Sequence, residues 1–150
     1  QKVLFSENYI DSDSFVILSL TKNKKESLAD LVGKKIIVNS GYSTEKYVDS
    51  LQADCQFSVQ KLKTLPDALF AIKNGIADAF ITAESTVARL LETELREIFY
   101  IAKIPGTTES AAIAFQKDQQ ELCQIINNIL QKFKEDGTID FLKKKWNIAL

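Results

Sequence analysis

The chain has 150 residues, is 45% hydrophobic and 26% charged, and carries a net charge of −1, a composition ordinary for a globular protein of one or two small domains. The near-neutral charge gives no electrostatic basis for binding nucleic acid, and no apolar stretch approaches the roughly 18 residues of a membrane span. With no histidine, the chain lacks the usual general base, the histidine of a hydrolase triad and the commonest zinc ligand.

In chain order, Val3–Phe5 reads as a short strand, followed by a loop over Ser6–Ser12. Phe15–Leu20 is a second apolar run, placed as a strand passing between two lobes would be. Ser27–Leu31 is a helical turn, with Ser27 and Asp30 at capping-box spacing and Gly33 as its stop. Ile36, Ile37 and Val38 form a β-branched run bounded by turn signals, as expected of a central parallel strand. Ser40 and Gly41 break it, and a helix follows from Thr44 to Leu51. Phe57, Val59 and Lys61 alternate with polar residues and predict a strand with one exposed face.

Leu65-Pro66-Asp67 opens the next helix, whose buried face is Ala68, Leu69 and Ile72, and Lys73 and Gly75 end it. Ala77–Ile81 is a short buried strand, and Glu84–Leu91 is helical. Ile98–Ile104 is a further strand, Pro105–Ser110 a loop, and Ala111–Phe115 a returning strand. From Asp118 to Glu135, Leu122, Ile125, Ile126, Ile129, Leu130 and Phe133 follow helical spacing. Gly137 stops that helix and Thr138–Trp146 is the last. The alternation of strands and helices predicts an α/β protein with a mainly parallel sheet and right-handed crossovers.

The best site candidate is the turn Ser40, Gly41, Tyr42, Ser43 and Thr44. A strand feeding a helix through such a turn leaves backbone N–H groups unpaired at the strand's carboxyl end, where open α/β sheets bind small anions. The N–H groups of Ser43 and Thr44, with the Ser43 hydroxyl, suit a carboxylate; a plain helix cap that binds nothing is the other reading. Asp11 and Asp13 begin an EF-hand-like spacing, but the glycine and final glutamate are missing, so no metal is expected. Gly41 belongs to no nucleotide-binding pattern, and no cofactor is expected. Cys55 and Cys123 fall in different regions, which favours two separate thiols over a mutual disulfide.

Four segments carry a resemblance: VLFSENYI (3–10), SLADLVGKKIIVNSGYSTEKYV (27–48), LPDALFAIKNGIADAFIT (65–82) and FKEDGTIDFLKKKW (133–146). In this order they resemble the bacterial family 3 extracellular solute-binding proteins, the amino-acid-binding components of ABC importers. The resemblance implies a type II periplasmic-binding-protein-like fold with one complete lobe, residues 15–112. Residues 1–14 and 113–150 would be remnants of the first lobe, the front of which, with its aromatic clamp and ligand-gripping arginine, is missing.

By the same resemblance, Ser43 falls on the family's carboxylate-binding Ser/Thr, while Tyr42 departs from the usual threonine. The acid that holds a ligand's ammonium is matched by Ala83, flanked by Thr82 and Glu84. Either Glu84 takes over, or the ligand lacks a standard α-amino group, or binding is lost. The implied function is delivery of an amino acid or similar small polar solute to the membrane permease of an ABC transporter, without catalysis. The alternatives are a dehydratase-like periplasmic enzyme of the same fold or the sensor domain of a membrane kinase. The location would be periplasmic or extracytoplasmic, with a lipid anchor conceivable in the parent. No charged stretch followed by an apolar run opens the chain, so an exported parent would be present in mature or trimmed form. The apolar stripe of the long helix predicts a homodimer or association with the missing first lobe.

Overall fold

The computed structural model describes residues 3–146 and 148. Contacts group residues 14–107 into one unit and residues 1–13 with 108–150 into another. The first division comes one residue before the expected 14/15, and the second, at 107/108, comes before the expected 112/113. The chain opens with strands β1 (Leu4–Phe5) and β2 (Ile10–Asp13). The 14–107 unit is built from β3 (Phe15–Leu20), β4 (Lys35–Asn39), α1 (Ser43–Cys55), β5 (Ser58–Leu62), α2 (Leu65–Lys73), β6 (Ala79–Ala83), α3 (Glu84–Val87) and β7 (Phe99–Lys103). The chain then adds β8 (Glu109–Ala111), β9 (Ala114–Phe115), α4 (Gln120–Glu135) and α5 (Thr138–Trp146).

The 14–107 unit is a five-stranded sheet in the order β5-β4-β6-β3-β7. β4 pairs in parallel with β5 and β6, and β3 pairs antiparallel with β6 and β7. Four of the five strands therefore run one way and β3 runs against them. Strands covered on both faces read as continuous apolar runs rather than alternating ones. That is the composition of β3, whose Phe15–Ser19 are all buried, and of Ile36, Ile37 and Val38 in β4.

Side chains alternate between two cores. Phe15, Ile17, Ile36, Val38, Ala79 and Ile81 face α1 and bury Val48. Val16, Leu18, Ile37 and Phe80 face the other way, onto Ala68 and Ile72 of α2 and Val87 of α3. Local signals fix the edges of this frame. The Ser27–Asp30 capping box forms as the spacing predicts. Thr64, not singled out in the sequence, caps α2 by accepting the Asp67 N–H. Asp78 ties the starts of β4 and β6 together: its carboxylate accepts the Lys35 N–H at 2.9 Å, and its own N–H donates to the Lys35 carbonyl at 2.8 Å.

In the other unit, β1 pairs with β9 and β2 with β8, both antiparallel. α4 packs against β1: the Cys123 thiol donates to the Phe5 carbonyl, and Asn127 Oδ1 accepts the Glu7 N–H at 2.8 Å. The predicted stripe on α4 is divided. Leu130 is buried, whereas Leu122, Ile125, Ile129 and Phe133 are exposed, as are Phe141 and Trp146 on α5.

Three local readings differ from the sequence. The loop predicted over Ser6–Ser12 ends in β2, where Ile10 is the lone apolar residue and pairing with β8, not periodicity, makes the strand. Residues 111–115, read as one strand, are divided between β8 and β9. β6 starts two residues later than expected and runs on to Ala83, which places Thr82 and Ala83 inside a strand. Both cysteines are free, Cys55 half-buried and Cys123 buried.

Candidate functional site

Because β4, β5, β6 and β7 run the same way, their carboxyl ends share one edge of the sheet with the start of β3. The register aligns that edge: Asn39 is level with Leu62, and Val16 is level with both Thr82 and Lys103. The turn at Ser40–Thr44 leaves β4 on this edge. Ser40 donates its N–H to the Leu62 carbonyl at 2.8 Å, so the turn starts from a fixed point. Gly41 then takes φ +85°, a left-handed conformation that a side chain disfavours, and reverses the chain into α1.

α1 opens at Ser43. The first N–H groups of a helix have no partner within the helix and carry its positive end. Thr44, in that first turn, is only 2% exposed, and its hydroxyl has no hydrogen-bond partner among the described residues. Ser43 and Tyr42 are exposed, Tyr42 by 59%. Gly41, Tyr42, Ser43, Glu45, Lys46 and Asp49 line a concavity of about 410 Å³.

Glu45 braces the turn from the β5 side. One of its oxygens accepts the Gly41 N–H at 2.6 Å and the other meets Lys61 Nζ at 2.8 Å; Lys61 also reaches Asp49 at 3.2 Å. The hydrogen bond from Lys61, then the Gly41 N–H, holds the Glu45 carboxyl below its usual range. Nothing at sequence level links Lys61 to this turn, since parallel pairing of β4 with β5 brings it there.

The end of β6 separates the other predicted residues by face. Thr82 pairs with Val16, and both belong to the side covered by α2 and α3. Ala83 pairs with Phe15 on the α1 side, and the Phe15 ring lies 5.1 Å from Tyr47 of α1. Glu84 begins α3, whose Val87 is in the α2-side core. Its N–H donates to the Ser14 carbonyl at 2.8 Å, and its carboxylate meets Lys103 Nζ at 3.0 Å, with the second oxygen buried and without a partner. Lys103 pairs with Val16, so this ion pair lies at the same edge of the sheet. The Ser40–Thr44 turn and the end of β6 lie on the same edge of the sheet, and Ala83 belongs to the face covered by α1. Thr82 stands on the opposite face, and Glu84 follows the strand as the first residue of α3.

Among the described residues no group of three or more potential metal ligands occurs. The opening of α1, with its first N–H groups and the Ser43 and Thr44 hydroxyls, offers donors that suit an anion.

Comparison with known proteins gives this edge its context. The model of the bacterial extracellular solute-binding proteins, family 3, matches residues 1–149. The L-cystine-binding protein TcyA of Bacillus subtilis (strain 168) is 28% identical over 142 residues, 95% of this chain and 52% of its own length. The amino-acid-binding protein AabA of Dichelobacter nodosus is 30% identical over 144 residues, 95% of this chain and 56% of its own. An ancestral arginine-binding protein solved with arginine bound matches the fold with a TM-score of 0.82 at 29% identity, over 96% of this chain and 64% of that one. The chain therefore spans about half the length of the curated relatives it matches, and its sheet has the architecture of the type II periplasmic binding proteins. A family match over nearly the whole chain, together with the sheet and turn just described, makes this chain a member of the bacterial extracellular solute-binding proteins, family 3.

Proposed function

We propose that this chain supplies one half of a binding site for an amino acid or similar small polar solute. The ligand's carboxylate would sit at the opening of α1, on the N–H groups and hydroxyls of Ser43 and Thr44. The observation that carries this reading is the Thr44 hydroxyl, buried in the first turn of α1 without a partner. Its position on the carboxyl edge of the sheet supports the reading, as do the names of the relatives, which are binding proteins.

In the parent protein, residues 14–107 would act as a lobe that closes on the solute together with a second lobe. The ligand shifts that hinge equilibrium by touching both lobes. The loaded protein would present the solute to the permease of an ABC importer outside the cytoplasm. This role is binding without catalysis, so the ligand is recovered unchanged. The exposed apolar side chains of α4 and α5 would be covered in the parent by its first lobe, or here by a second copy of the chain.

A single lobe offers half the contacts. An intact protein that binds at about 1 μM holds its ligand by about 8 kcal/mol, and half of that leaves a Kd of about 1 mM. Calorimetry with a panel of amino acids is expected to detect weak or no binding by this chain. Micromolar affinity would overturn the half-site argument. Sedimentation at micromolar concentration is expected to show an associated species, and a clean monomer with a cooperative melt would overturn the covered-face reading.

A further inference from the structure

We infer that the exposed face of α4 docks on α4 of a second copy of this chain, antiparallel, so that Glu121 of each helix lies beside Lys132 of the other. This pairing rests on the reading above that a second copy covers the face, and it adds which residues meet and in which direction. It is independent of what the unit formed by residues 14–107 binds.

Contacts within its own unit fix how α4 is turned about its axis. The Cys123 thiol and the Asn127 side chain bond to the backbone of Phe5 and Glu7, Leu130 is buried, and Lys134 meets Glu7 at 3.7 Å. Leu122, Ile125, Ile129 and Phe133 are left as a separate stripe, each 39% to 49% exposed. Their spacing of three and four residues puts them on one face, a seam of the kind that packs against another helix.

The charges beside that seam make it complementary to itself. Glu121 is in the first turn of α4 and Lys132 in the last, and both are exposed. Among the described residues neither has an ion-pair partner. They are about three turns apart, so they flank the stripe on the same side. When two antiparallel helices are related by a two-fold axis, like flanks meet and each contact occurs twice. Glu121 then meets the partner's Lys132, Lys132 meets the partner's Glu121, and Leu122 lies level with the partner's Phe133. A parallel pair would gather the acidic first turns at one end and the basic last turns at the other. The antiparallel pair also sets opposite ends of the two helix dipoles together.

The test measures the dimer constant of the 150-residue chain by sedimentation over a concentration series. Glu121→Lys and Lys132→Glu each replace two attractive pairs with two repulsive ones, and each is expected to weaken the dimer about tenfold. An equimolar mixture of the two variants restores both attractive pairs and is expected to dimerise within about threefold of the parent chain. Both residues are exposed, so the urea midpoints of the isolated variants serve as the check that the fold is kept. A parent dimer that neither reversal weakens would overturn the inference while leaving the second-copy reading intact. A parent chain that stays monomeric would overturn both and leave the face to another polypeptide.

Cross-linking with a short bismaleimide reads the direction. A mixture of Glu121→Cys and Lys132→Cys chains is expected to cross-link. Neither variant alone is expected to do so above the parent chain, whose free Cys55 and Cys123 set the background. Like positions in the antiparallel pair stand about 16 Å apart along the axis. Either variant cross-linking to itself as well as the mixture does would overturn the antiparallel arrangement.

Discussion

Replacing Thr44 with valine separates what the site costs the fold from what it gives the ligand. Threonine and valine have nearly the same shape, and their helix propensities differ little. Thr44 is 2% exposed and its hydroxyl finds no partner among the described residues, so the change removes a desolvated polar group without opening a cavity. Burying an unpaired hydroxyl costs about 1–3 kcal/mol on mutational scales. The valine variant is therefore expected to be more stable by about 1 kcal/mol, which at this chain length raises Tm by about 3 °C. It is expected at the same time to weaken carboxylate binding, since a donor has been lost. Urea titration gives the first quantity and amide-shift titration the second. A Thr44→Val chain that loses about 1 kcal/mol or more would show that the hydroxyl holds the native fold, and the argument for a ligand at this turn would lose its main support.

Phe80 is fully buried in the core on the α2 side, and Phe80→Ala is expected to cost about 3–5 kcal/mol by urea unfolding. Gly41→Ala meets nothing within 4 Å of the new Cβ, so its cost is that of backbone at φ +85°, about 1–2 kcal/mol, with weaker carboxylate binding; an unchanged urea midpoint would contradict the turn geometry. The Glu45 carboxyl is lowered in the fold, so the unfolded chain binds its proton more readily and stability rises with pH across that window. Its contribution is complete above the ordinary carboxylate range and disappears as pH falls through its lowered folded value. Glu45→Gln should flatten the acid limb of stability against pH, and an identical limb would refute the Gly41 and Lys61 contacts.

Much of the architecture could be read from local patterns. Phe15–Leu20 appeared as the strand it is, because a run buried on both faces is apolar at nearly every position, Ser19 being the exception. Thr138–Trp146 matched to the residue, since Gly137 at φ +78° stops the helix before it. What local pattern did not carry was pairing. β2 has one apolar residue and exists through β8, so no periodicity announced it. The brace of Glu45 by Lys61 depends on parallel pairing across separate strands, a long-range event.

The turn that carries the proposed site was legible in its local geometry. The turn at Ser40–Thr44 could be anticipated from strand, glycine and cap residues. The exact end of β6 could not, because Thr82 and Ala83 were read as lying beyond the strand and instead close it on opposite faces. A one-residue slip in the pairing of β6 with β3 would exchange those faces.

The central claim is that the opening of α1 receives a carboxylate. Its most direct test is an amide-shift titration of the labelled chain with an amino acid. The account predicts saturable shifts centred on Ser43 and Thr44, with a midpoint of about 1 mM. Saturable binding that leaves those two amides unmoved and shifts signals elsewhere would contradict it.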